Sequence, residues 1–236
     1  MRFSFSPEFA ALFPEYTRCL VVVRNMDNHG EHPELAELLR RAADCVRADA
    51  ALAANPAAHP RLAAWREAFR RFGAKPADTR PALESLVRRV LKGDEISYIN
   101  TAVALMNTLS LERLLPCGGD DLHRVVGDFG LRFARGDEAF TPFIGGEIEH
   151  PGPGEVILAD DASVMCRRWI WRQGDQTKIA PDTTAVAVNV DVFPPATVVE
   201  GEAAASELVS RLERFCGADC RVFVLGMSCL SVEWQA

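Results

Sequence analysis

The segment Cys166-Arg167-Arg168-Trp169-Ile170-Trp171-Arg172-Gln173-Gly174-Asp175-Gln176-Thr177 sets three arginines and two tryptophans within seven positions of a single run. Read as one strand, period-2 alternation puts Cys166, Arg168, Ile170 and Arg172 on one face and Arg167, Trp169, Trp171 and Gln173 on the other. Neither face is plainly apolar. A strand that only fills a core has one oily face, and each guanidinium it buries needs an anion or acceptor. The pattern predicts a surface that handles a ligand with anionic and planar parts.

Around this segment, strand patterns follow in quick order at 130–134, 155–159, 164–172, 185–193 and 222–225, separated by turn signals such as Gly145-Gly146 and Pro151-Gly152-Pro153-Gly154. The run 185–193 alternates cleanly. Val186, Val188, Val190 and Val192 share a core face, and Ala185, Ala187, Asn189 and Asp191 share a face that suits either a pocket floor or solvent. An earlier apolar run, Cys19 to Val23, reads as a buried strand.

Helical spacing dominates the first half. Leu35, Leu38, Leu39, Ala42, Cys45 and Val46 form one stripe, Leu62, Trp65, Phe69 and Phe72 a second, and Leu83, Leu86, Val87, Val90 and Leu91 a third. A last helix carries Leu208, Val209, Leu212 and Phe215. Helices early and strands late predict an α+β fold. We expect one domain over 1–236, with a mainly helical lobe at 1–97 and a sheet-rich part at 98–236 that carries the pocket.

Composition narrows the function classes. The chain has 236 residues, is 48% hydrophobic and carries a formal net charge of -7, so any nucleic-acid contact is a local patch on an acidic protein. Eight basic residues between 66 and 92 (Arg66, Arg70, Arg71, Lys75, Arg80, Arg88, Arg89 and Lys92), opposed only by Glu67, Asp78 and Glu84, supply either that patch or a solvated helical face. Seven scattered cysteines without histidines at ligand spacing read as free thiols of a reducing cytoplasm. No run of membrane-spanning length occurs, and no metal or cofactor is expected. Catalytic signatures such as GxSxG, a phosphate-binding loop, GxGxxG after a strand and HExxH are missing from the sequence. The run Pro116-Cys117-Gly118-Gly119-Asp120-Asp121-Leu122 reads as a tight loop whose glycines admit a ligand close to the backbone.

Several spaced motifs carry a resemblance: Trp65-Arg66, Phe72 to Pro76, Leu86 to Arg89, Ile99-Asn100 with Asn107, Leu115-Pro116, Gly119 to Leu122, Gly136 with Glu138, and Gly154-Glu155. They continue with Asp160-Asp161, Cys166 to Trp169, Trp171 to Gln173, Thr177 and Asp182 to Thr184. From about Trp65 to Phe193 the chain resembles the B3/B4 domain of the β subunit of bacterial phenylalanyl-tRNA synthetase, and especially free-standing proteins made of that domain. The resemblance implies a three-layer fold with a β-sandwich of unusual topology flanked by helices. For function it implies trans-editing, the hydrolysis of an amino acid from a mischarged tRNA.

Three departures bear on the substrate. Gly118 stands where the synthetase's editing loop has a histidine, Asn189 where its pocket has a glutamate that reads the tyrosine hydroxyl, and Ala104 where an acidic residue is usual. An amino acid other than tyrosine is therefore expected. On this reading Arg168 and Arg172 contact the carboxyl ester or terminal phosphate, Gly118 and Gly119 offer backbone donors, and Thr177 and Gln173 position water or ribose. Asn100, Asn107, Asn189 and Trp171 shape the substrate pocket, and Arg66, Arg70, Arg71, Lys75, Arg88, Arg89 and Lys92 meet the acceptor stem. The expected partner is tRNA, with no DNA or membrane, and the protein is expected to be a monomer. The alternative is a noncatalytic module that binds RNA or a small ligand on the same fold.

Overall fold

Hydrophobic periodicity locates most elements of the computed structural model, which describes residues 1–143 and 145–235. In chain order they are β1 (Arg2–Phe5), α1 (Pro7–Leu12), β2 (Thr17–Arg24), α2 (Pro33–Ala48), α3 (Ala50–Ala54), α4 (Pro60–Arg71), α5 (Ala82–Leu91) and α6 (Thr101–Arg113). Then come β3 (Cys117–Asp121), β4 (Phe129–Phe133), β5 (Val156–Asp160), β6 (Val164–Arg167), β7 (Arg172–Gln173), β8 (Val186–Val192), α7 (Val198–Cys216), β9 (Asp219–Leu225) and β10 (Ser231–Glu233). The fold is α+β, with a four-stranded sheet in the order β3-β8-β2-β9 and a six-stranded sheet in the order β10-β1-β4-β5-β6-β7.

Two buried clusters make these sheets into layers. Cys19, Val21 and Val23 of β2 and the four valines of β8 pack against Leu35 and Leu39 of α2, Leu105 and Leu109 of α6, and Leu208 and Leu212 of α7. The opposite face of the same sheet, with Leu20, Val22 and Ala187, packs on Phe3, Leu131, Val156, Leu158 and Met165 of the other sheet. The order is helices, sheet, sheet. Both faces of β8 are therefore buried, and all seven of its residues lie inside. The solvent-facing reading of Asn189 and Asp191 gives way to an inter-sheet one, because a second sheet covers that side.

Local rules set the ends of the helices that support the site. Asn100 caps α6 by accepting from the Val103 amide at 3.0 Å, and Leu114 ends it in a left-handed conformation. Thr197 and Glu200 close a reciprocal capping box on α7, which ends at Gly217 with φ 60°. This helix begins at Val198, well ahead of the stripe at Leu208 that marks it in the sequence.

Two expected elements differ in the structure. The run Pro116–Leu122 is not a loop: Cys117–Asp121 is a strand, paired antiparallel with β8 so that Gly118 faces Asn189 and Gly119 faces Val188. A GGDD sequence has low intrinsic strand preference, and pairing with a strand buried on both faces overrides it. The segment 164–172 is not one strand either. It folds as a hairpin, and this change reshapes the site.

Candidate functional site

The hairpin forms because β6 stops at Arg167. Arg168 and Trp169 take left-handed backbone angles, with φ 47° and 67°, and the chain returns as β7 with Cys166 opposite Gln173 and Arg167 opposite Arg172. Each such non-glycine residue costs roughly 1–2 kcal/mol. Trp169 offsets that cost. Its ring enters the aromatic core beside Phe9, Phe13 and Tyr16 at centroid distances of 4.9, 4.6 and 4.8 Å, and its amide donates to the Val156 carbonyl at 2.8 Å.

Arg168 and Arg172 consequently do not share a strand face. Arg167 donates to both oxygens of Glu155 at 2.9 Å and to Glu149 at 2.6 Å. Arg172 takes the other Glu149 oxygen at 2.8 Å, and Arg168 lies 3.5 Å from Glu155. All three guanidinium carbons lie near the Trp171 ring, at 5.6, 4.7 and 5.8 Å for Arg167, Arg168 and Arg172. Trp171 is thus a platform for cations, while Trp169 is a core residue.

Beside this platform lies a cavity of about 390 Å³, set where β3 and β7, the terminal strands of the two sheets, meet. Gln173 joins them by donating to the Gly119 carbonyl at 2.8 Å. Arg18, Gly118, Asp120 and Asn189 line the cavity from the four-stranded sheet, and Leu158, Cys166 and Gln173 line it from the other. Leu83, Leu86 and Arg89 of α5 and Val103, Met106 and Asn107 of α6 form the outer wall. Ile99 and Phe143, 62% and 46% exposed, stand at the lining as large apolar groups open to solvent.

Among the residues singled out from the sequence, Asn107, Gly118, Gly119, Trp171, Arg172, Gln173, Asn189 and Arg89 come together around this cavity. Three of the expected catalytic and substrate-binding residues sit elsewhere. Arg168 is held at the hairpin, and Asn100 caps α6 while its amide donates to the Ile179 carbonyl at 3.3 Å. Thr177 is fully buried and donates to Asp120 at 2.6 Å.

Backbone alternation separates the two glycines. In the antiparallel pairing, the bonds from Asp191 to the Pro116 carbonyl and from Leu122 to the Ala185 carbonyl point residues 116, 118, 120 and 122 toward β8. Cys117, Gly119 and Asp121 then face the free edge, where Cys117 donates to Ser110 and Asp121 to Thr177. The Gly119 amide therefore points away from β8, on the side where Gln173 takes its carbonyl, and the Gly118 amide is turned to β8. A Cβ on Gly119 would meet the Ala187 carbonyl at 3.1 Å and Met106 Sδ at 3.2 Å, so glycine keeps this corner uncrowded.

Charge lies deep in the cavity wall. Arg18 and Asp191 are 2% and 0% exposed and pair at 2.8 Å; Tyr16 donates to Asp191 at 2.6 Å and Asn189 donates to it at 2.8 Å. Burial opposes the Arg18 charge, but Asp191 and Tyr16 outweigh it and hold the guanidinium above its usual range. The same chain of bonds fixes Asn189 in the cavity. Asp120 behaves differently. Burial pushes its carboxyl up to about 6, against the lowering effect of hydrogen bonds from Thr177 and Gln173 and of the Arg18 charge, with Asp160 adding to the rise. The sequence pattern did not single it out. Its signal, an acid directly after two glycines, becomes meaningful only once the strand is buried. Burial also raises Cys117, and pushes Cys166 up to about 12, which keeps both cavity thiols protonated near neutrality.

The basic helices divide into spent and available charge. Arg66 and Arg88 both bind Glu84, which is completely buried. Arg70 pairs with Glu67, and Arg71 with Glu15 while lying over Phe13. Lys75, Arg80, Arg89 and Lys92 are exposed and have no carboxylate partner among the described residues. Arg89 brings that charge to the cavity itself.

A model of the B3/4 domain family matches residues 64–219. The chain belongs to the B3/4 domain family. The match extends beyond Phe193, where the sequence resemblance ends, through α7 to the first residue of β9. It begins within α4 and includes every residue that lines the cavity except Arg18 of β2. Among solved structures, the B3/4 chain is similar to an N-terminal fragment of the phenylalanyl-tRNA synthetase β subunit from Pyrococcus horikoshii. The identity is 15% and the TM-score 0.42, over 51% of this chain and 41% of that one. The chain thus spans less than half the length of that fragment. A search of curated proteins found no match. No helix among the described residues is long and apolar enough to cross a membrane.

Proposed function

We propose that this B3/4 protein is an aminoacyl-tRNA deacylase that acts in trans, binding the aminoacylated 3′ end of a mischarged tRNA in the cavity and hydrolysing the ester. One observation carries the reading: a backbone amide left out of the β3–β8 pairing, polar side chains and cationic groups converge on one mostly apolar cavity. An aminoacyl ester is already activated, so orientation of the ester and a water, with a donor for the oxyanion, suffices without a nucleophile.

In this arrangement the Gly119 amide receives the carbonyl oxygen as negative charge develops on it. Asn107 and Asn189 contact the amino-acid part, and Met106 and Ile179 give it an apolar wall. Trp171 stacks on the terminal adenine, while Arg172 and Arg89 meet the terminal phosphates. Gln173, whose amide nitrogen is spent on Gly119 and Asp120, offers its carbonyl oxygen to a ribose hydroxyl. Lys75, Arg80 and Lys92 extend the cationic track toward the acceptor stem. With Asn189 in place of a glutamate, the amino acid is one other than tyrosine.

The pairing of Arg168 and Arg172 with Glu155 and Glu149 favours a second reading, a small-ligand module without turnover. Non-hydrolysable 3′-aminoacylamino-adenosines carrying different side chains test the site. The deacylase reading expects one of them to occupy the cavity in a crystal, with its carbonyl oxygen within hydrogen-bond distance of the Gly119 amide. Failure of the whole series to enter the cavity at millimolar concentration overturns it.

A further inference from the structure

We propose that Asp120 is the general base of the site, accepting the proton of the water that attacks the ester carbon. The proposal rests on the hydrolytic reading above and assigns it the group that activates water.

Geometry marks Asp120 out from the other acids. Its Oδ1 accepts from Thr177 Oγ1 at 2.6 Å and Gln173 Nε2 at 3.2 Å, and no described residue donates to Oδ2. The residue is buried in the protein yet lines the cavity. One carboxylate oxygen is therefore locked in place by two donors, which leaves the other to hold a water. The remaining buried acids are occupied otherwise. Asp191 accepts from Arg18, Tyr16 and Asn189, Glu155 binds Arg167, and Asp160 accepts the amides of Val126, Ala162 and Ser163.

Asp120 also follows Gly119 directly in the chain. The oxyanion donor and the base thus come from neighbouring positions of one edge strand, so a carbonyl held on the Gly119 amide stands beside the water on Asp120. The groups around the carboxyl are Arg18 from β2, Asp160 from β5, Cys166 from β6, Thr177 and Gln173. Desolvation and the Asp160 charge outweigh the three lowering contacts and set the carboxyl at about 6. At neutral pH it is largely ionised and still basic enough to take a proton.

The step balances without a further reactant. As the water oxygen bonds to the carbonyl carbon, its proton passes to Asp120 Oδ2. When the tetrahedral intermediate collapses, the bond between that carbon and the ribose oxygen breaks, and Asp120 returns the proton to the leaving oxygen. One water is consumed, and the products are the free amino acid and a tRNA with its terminal hydroxyl restored.

The test compares wild type, Asp120→Asn and Thr177→Val in deacylation of a panel of mischarged tRNAs across pH 4.5–8. Asp120→Asn is expected to lower kcat by about 100-fold or more with KM little changed, and to abolish an acidic limb that wild type shows near pH 6. Thr177→Val removes a contact that lowers the Asp120 pKa, so it should move that limb to higher pH while leaving a measurable kcat. An Asp120→Asn enzyme within tenfold of wild type, or one that keeps the limb, overturns the assignment and leaves the deacylase reading standing. Wild type without activity on any tRNA refutes the deacylase reading, and the base with it. A melting temperature of Asp120→Asn at or above that of wild type establishes that the lost rate is not lost folding.

Discussion

Replacing Asp120 by Asn should stabilise the protein at neutral pH, because the wild-type fold holds this carboxyl where its charged form is disfavoured. The residue is 4% exposed, and burial is the largest cause of its rise from 3.8 to about 6. Between those two values the unfolded chain has released the proton and the native chain still holds it. Native protein then binds more protons than unfolded protein, so stability falls as pH rises through that window. Below about pH 4 the penalty is absent, and above about pH 6 it is complete.

A shift of about two pKa units corresponds to about 3 kcal/mol. Asn keeps the Oδ1 acceptor for Thr177 and Gln173 and carries no charge, so it escapes that term. Urea unfolding of wild type and Asp120→Asn at pH 4 to 8 measures it. The difference in unfolding free energy should be near zero at pH 4 and rise to about 2–3 kcal/mol in favour of Asn by pH 7. A difference that does not change with pH, or a variant less stable than wild type at pH 8, refutes the claim that Asp120 is a desolvated acid. A destabilising acid that the fold retains is expected where function needs it.

Other substitutions probe the support around the cavity. Asp191→Ala leaves Arg18 charged, buried and unpaired and should cost about 3–5 kcal/mol, lowering the melting temperature by on the order of 10 °C; replacing both residues by apolar ones should cost less. Trp169→Ala empties the centre of the aromatic core and should cost about 3–5 kcal/mol in chemical denaturation, with an altered near-ultraviolet spectrum. The pair Arg89→Ala and Lys92→Ala removes exposed charges with no described carboxylate partner. It should leave stability unchanged but weaken tRNA binding and flatten its dependence on log salt by about 2, read by filter binding.

Much of the framework was legible in the residues because its signals are local. The valine alternation of β8 and the apolar stripes of α2, α4 and α5 fall where the structure has them. What escaped depends on partners far along the chain. The Arg168-Trp169 turn uses left-handed angles on residues that rarely adopt them, and only the burial of Trp169 against Phe9, Phe13 and Tyr16 accounts for it. Strand β3 owes its conformation to β8, some 70 positions on, rather than to its own glycines and aspartates.

The candidate site divides in the same way. Motif matching located Asn107, Gly119, Trp171, Arg172, Gln173 and Asn189, which do surround one cavity. Strand alternation, by contrast, gives Arg168 and Arg172 a common face. The structure instead sets them around the Trp171 ring and against Glu155 and Glu149. Asp120 carries no local signal, because its hydrogen-bond partner Thr177 lies 57 residues away and no pattern in the sequence reveals that a given acid will be desolvated.

The most direct test of the central claim is the rate of ester loss from a panel of mischarged tRNAs, with and without the purified protein, at pH 7.5. A deacylase accelerates loss from at least one tRNA at least tenfold over the spontaneous rate, spares tyrosine esters, and is inhibited by the matching 3′-aminoacylamino-adenosine. Spontaneous rates across the panel, with the tRNAs nonetheless bound, would contradict it and leave a binding module.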